Sequence, residues 1–107
     1  MNIWKTVEHV EDKFKAIADE IVALLVQKNE DYGDENLLTY GLFGICVRLS
    51  DKLARLRNLT FKSVQKTDAI EDTLKDIAGY AINALRLLRE GRLGRGIENF
   101  EWIDPRD

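Results

Sequence analysis

The densest chemistry in this chain sits in Arg48-Leu49-Ser50-Asp51-Lys52-Leu53-Ala54-Arg55. Wound as a helix at roughly 100° per residue, Arg48, Asp51, Lys52 and Arg55 fall within an arc of about 100°, at the edge of the apolar stripe. Three cations around one carboxylate form either an ion-pair ladder on a solvated face or a cradle for phosphate, which Arg grips with two donors at once. A second constellation is Asp72 and Asp76, one helical turn apart on the same face. Carboxylates so spaced repel mildly. A hard cation such as Mg²⁺ would relieve them, taking two carboxylates plus waters and substrate phosphates. Alternatively they face water near a helix start, where acids suit the dipole. The third is Lys28-Asn29-Glu30-Asp31-Tyr32-Gly33, where a charged turn meets an aromatic ring and a glycine suited to positive φ.

Elements of helical period must position these groups. Val7, Val10, Phe14, Ile17, Ile21, Leu24 and Leu25 recur at steps of three and four and predict a helix over 7–28. Leu42, Cys46, Leu49, Leu53 and Leu56 predict a second over 42–59. Ile70, Leu74, Ile77, Ala81, Leu85 and Leu88 predict a third over 68–90, with Asp68 and Glu71 as a variant capping box and Gly91 as a left-handed C-cap. The connection 29–41 is rich in turn formers and acids, and the connection 60–67 is short. The tail 91–107 carries Phe100, Trp102 and Ile103. The only proline is Pro105, so nothing interrupts the helices.

At 107 residues the chain is one all-α domain of three long helices and a tail. Three helices struggle to bury enough surface alone. The third also has a second face of Asp72, Asp76, Gly79, Tyr80, Asn83 and Leu87, too poor in Lys and Glu for a merely solvated one. Mid-helix Gly79 suggests a close backbone approach there. Both faces of that helix are expected to be covered, as in a bundle completed by a homodimer or homotetramer. A net charge of −3 argues against a sequence-specific duplex-DNA binder. One cysteine, no signal-like segment and no apolar run near 20 residues predict a cytoplasmic protein without membrane contact. His9 is expected at the surface and Cys46 in the core. There is no Gly-rich phosphate loop and no Cys/His metal pattern, so an enzyme here would work with carboxylates and a metal.

Taken together, K-x-x-D-Y-G at 28–33, R-x-x-D-K-x-x-R-L-x-N-L at 48–59 and D-T-x-x-D-x-x-x-Y-A at 72–81 resemble the nucleotide modification associated domain 1 family of phages and prophages. That family looks like a relative of the all-α, MazG-like nucleoside triphosphate pyrophosphohydrolases. The resemblance spans residues 14–88 and implies an oligomerising helical bundle with a nucleotide between helices. In the MazG-like enzymes acidic residues hold Mg²⁺, and a metal-bound water attacks a phosphoanhydride to give a monophosphate and pyrophosphate. Carried onto this chain, Asp51, Asp72 and Asp76 would hold Mg²⁺, with Asp51 and Asp76 catalytic. Lys28, Asp31, Tyr32, Arg48, Lys52, Arg55 and Tyr80 would bind the nucleotide. Those enzymes show E-x-x-E on one helix and E-x-x-D on the next. Here Arg48 replaces the acid before Asp51, and Thr73 the acid before Asp76. Two expectations follow: a Mg²⁺-dependent pyrophosphohydrolase acting on a nucleoside triphosphate, or a non-catalytic nucleotide-binding or protein-interaction accessory module.

Overall fold

The computed structural model describes residues 3–62 and 66–96, with side-chain surroundings from residue 9 onward. All of its regular structure is helical: α1 (Ile3–Tyr32), α2 (Glu35–Thr60) and α3 (Thr67–Arg89). The chain divides into two compact units, 1–33 and 34–107. The apolar residues of the tail, Phe100, Trp102 and Ile103, lie outside the described residues.

The first unit is α1. It continues four residues past the predicted end because nothing before Gly33 opposes the helix. Gly33 then stops it with φ 66°, its N–H donating to Asn29 O at 2.8 Å, a left-handed cap that satisfies an otherwise orphaned carbonyl. His9 is exposed, as expected.

The second unit is built on the α2–α3 hairpin. α2 begins at Glu35, inside what the sequence suggests is a connection, so that connection shrinks to Gly33 and Asp34. The helix then breaks at Gly41, with φ 58° and ψ −155°, and resumes at Leu42, the predicted start. The backbone donors freed by the break do not go unpaired. Leu42 N–H donates to Gly94 O and Phe43 N–H to Arg95 O, each at 2.8 Å. The segment after α3 therefore lies directly in the notch of α2. A Cβ on Gly41 would stand 2.5 Å from Gly94 O, and one on Gly96 would collide with Tyr40 O. Only glycine adopts the Gly41 conformation at ordinary cost, and only glycine leaves room for the tail.

α3 starts at Thr67 with Lys66 as its N-cap, and no side chain caps it. The Asp68–Glu71 capping box is thus corrected: Asp68 is already inside the first turn, where its charge suits the dipole without accepting a capping bond. The C-terminus follows expectation. Gly91 has φ 69°, its N–H donates to Leu88 O, and Arg92 N–H donates to Leu87 O, both at 3.0 Å. That pairing is a Schellman motif.

Within the second unit the hairpin packs through the face of α3 that carries Thr73 and Leu87. Ile45 (2% exposed), Thr73 (2%) and Leu87 (0%) are buried, with Gly79 and Gly41. The apolar stripes read from the sequence lie largely outside: Leu42, Cys46 and Leu53 of α2, and Leu74, Ala81, Leu85 and Leu88 of α3, are exposed. Cys46 is accordingly an exposed thiol, not a core residue. Along the contact edge Lys52 pairs with Asp76 and Arg55 with Thr73, so the polar groups brought in there are partnered.

Candidate functional site

The edge that joins α2 to α3 is the charged ridge read from the sequence. Arg48 lies over the Tyr80 ring with its guanidinium carbon 6.0 Å from the centroid. Lys52 Nζ contacts Asp76 Oδ2 at 2.9 Å. Arg55 Nε donates to Thr73 Oγ1 at 3.3 Å, and that hydroxyl donates onward to Ala69 O at 2.7 Å. Steps of four and three up α2 (48, 52, 55) are matched by the same steps back along α3 (80, 76, 73). This is the register of an antiparallel pair, and it turns the ridge into a polar zipper. The Arg48–Tyr80 rung is a cation–π contact at the outer limit of the useful range.

Of the residues singled out by sequence, the hairpin brings together Arg48, Lys52, Arg55, Asp76 and Tyr80. Asp51 and Asp72 stand exposed on their helices. Lys28, Asp31 and Tyr32 are exposed on the last turns of α1, in the other unit. Among the described residues no three of His, Cys, Asp and Glu gather closely enough to hold a metal ion. Every buried side-chain nitrogen and oxygen among them has a partner.

A second charged cluster escaped the sequence reading. Asp34, the N-cap residue of α2, does not cap. Its carboxylate instead accepts a fork from Arg86 at the end of α3, Nη2 to Oδ1 at 2.6 Å and Nη1 to Oδ2 at 3.2 Å. Arg92 Nη1 adds a bond to Oδ2 at 3.1 Å. Asn83 Oδ1 accepts from Arg86 Nε and Nη2, and Glu90 accepts from both arginines. The Arg86 hydrogen bond holds Asp34 below the ordinary carboxylate pKa, with Arg92 adding to it and burial opposing. The same bond raises Arg86. With the Gly41 notch, this clamp closes the open end of the hairpin. Its one sequence signal is the string Arg-Leu-Gly-Arg-Gly at 92–96 after a helix C-cap, whose glycines and cations have nothing to do in a plain tail.

No family model matches the chain, and no curated protein or solved structure matches it either. No helix among the described residues is long and apolar enough to cross a membrane.

Proposed function

We propose that this chain is a non-catalytic accessory module that works through its helical surfaces and completes its bundle by self-association. The Lys52–Asp76 pair carries the reading. A metal-binding carboxylate must offer its oxygens to the cation, and here an ammonium 2.9 Å away engages Asp76 Oδ2. That ammonium is tethered by the α2–α3 zipper, whereas Mg²⁺ would have to give up tightly held water to displace it. That no three of His, Cys, Asp and Glu gather among the described residues agrees with this reading. The self-association half of the proposal rests on the exposed leucines of α2 and α3, which form stripes and not scattered singles.

One observation favours a nucleotide-binding form of the same role. Arg48 and Tyr80 are only half-buried, so a phosphate could reach the guanidinium and a base the ring without opening the hairpin.

Incubation with Mg²⁺ and each common ribo- and deoxyribonucleoside triphosphate, following pyrophosphate against phosphate, tests the proposal. The expected result is no pyrophosphate from any of them. EDTA-sensitive release would overturn the non-catalytic reading and return Asp51, Asp72 and Asp76 to a metal site. In parallel, a melting midpoint raised by a triphosphate without turnover would select the nucleotide-binding form by linkage.

A further inference from the structure

Three glycines meet where the strap crosses α2. Gly41 holds the break with its positive φ, and a Cβ on Gly96 would collide with Tyr40 O. Gly44 is the third, since a Cβ there would collide with the Cβ of Tyr40, four residues earlier. In an unbroken helix the Cβ atoms of residues four apart stand about 5–6 Å from one another, so that collision belongs to the broken form alone. The chain on either side of Gly41 is otherwise ready to be one helix. No proline lies in 35–60. Glu35–Tyr40 is helical up to the break, with Thr39 Oγ1 donating to Glu35 O at 2.7 Å, and the helix beyond it runs on to Thr60.

The donors at the break have a second pair of acceptors. Leu42 and Phe43 give their N–H groups to Gly94 O and Arg95 O, each at 2.8 Å. In a continuous α-helix the same two N–H groups go to Leu38 O and Thr39 O, four residues back. Each arrangement pairs both donors, and the two exclude one another. Glycine is tolerated inside a helix at modest cost, so Gly41 serves either. We infer that α2 is a two-state element latched by the strap. It is broken at Gly41 while 92–96 is docked, and becomes one continuous helix over 35–60 once 92–96 leaves. Straightening turns Glu35–Tyr40 away from the end of α3 and so parts Asp34 from Arg86, which hold one another at 2.6 Å in the docked form. The departing strap takes Arg92 from the same carboxylate. Latch and clamp therefore open together, a local displacement changing the shape of the whole hairpin. This holds whether or not the chain self-associates.

Gly44→Ala in the full chain tests the latch from inside α2, because alanine suits the straight helix better than glycine does and collides in the broken one. NMR is expected to show the Gly41 Cα and carbonyl shifts moved to helical values, with the Leu42 and Phe43 amides still protected from exchange. Trypsin is expected to cut after Arg92 and Arg95 at least ten-fold faster than in the parent, with helicity by circular dichroism no lower. A released strap with freely exchanging Leu42 and Phe43 amides overturns the inference, because the donors then have no second acceptors. Gly41 shifts or cleavage rates that stay at parent values overturn it too, since break and strap are then not coupled. Gly96→Ala makes the same test from the strap side and decides the matter should Gly44→Ala fail to fold. If neither variant folds, the straight form is not a state of this chain and the inference falls.

Discussion

Asp34 and Arg86 join the first turn of α2 to the last turn of α3 through a two-pronged bond, 2.6 and 3.2 Å, across 52 residues of chain. The carboxylate spends its acceptors on this pair and on Arg92 and leaves the α2 N-terminus without a side-chain cap. The exchange favours tertiary structure over local structure. A cap stabilises one helix end, whereas the fork fixes three segments at once: the start of α2, the end of α3 and the strap at 92–96.

The fork should make stability acid-sensitive. Asp34 has its pKa lowered in the folded chain, first by the Arg86 hydrogen bond. Its contribution is therefore complete above the unfolded carboxylate value, near 3.8, and is lost as pH falls through the lower folded value. Urea unfolding from pH 7 down to 2 should show the parent losing stability below about pH 4, with Asp34→Asn flatter across that window. Asp34→Asn should also cost about 1–2 kcal/mol at pH 7. Equal slopes for the two proteins would show that the clamp contributes nothing.

Gly41 and Gly33 both have positive φ but differ in surroundings. A Cβ at Gly33 meets nothing within 4 Å, whereas one at Gly41 meets the tail backbone. Gly33→Ala should cost only the left-handed penalty of about 1–2 kcal/mol. Gly41→Ala should cost about 3 kcal/mol or more, since a glycine-only conformation and the docked strap fail together. Denaturant midpoints compare the two directly, and equal losses would exclude strap docking in the notch.

Across the zipper, Lys52 and Asp76 are each about a quarter exposed on their side chains, 30% and 23%. Screening limits such a pair. A double-mutant cycle with Lys52→Met and Asp76→Asn should give a coupling of about 1 kcal/mol. Coupling within error of zero would mean that the ammonium does not hold the carboxylate, and the argument against a metal there would fall with it.

Thr73 is 2% exposed and its hydroxyl is the junction between Arg55 and the Ala69 carbonyl. Thr73→Val keeps the shape and removes the junction. The expected loss is about 1–2 kcal/mol, read from thermal or urea unfolding, because the Arg55 Nε is left facing a methyl group. A neutral result would make the residue a space-filler.

By itself the sequence determined the helical class, the charged ridge of α2 and the stopping glycines. Proline-free periodicity leaves no other secondary structure, the cations at 48, 52 and 55 can only lie on one edge, and Gly33 and Gly91 cap because a left-handed residue costs least there. Only the tertiary structure decided which face of each helix turned inward. Amphipathic pattern says that a stripe must be covered, not by what, and the α2–α3 hairpin buries Ile45, Thr73, Gly79 and Leu87 while much of the leucine stripes stays exposed. Cys46 was placed in the core for the same reason and stands exposed. The clamp of Asp34, Arg86 and Arg92 and the strap in the Gly41 notch join residues 50 or more positions apart. Local periodicity carries no information about pairings at that distance, since they form only when the hairpin closes and brings its two ends together.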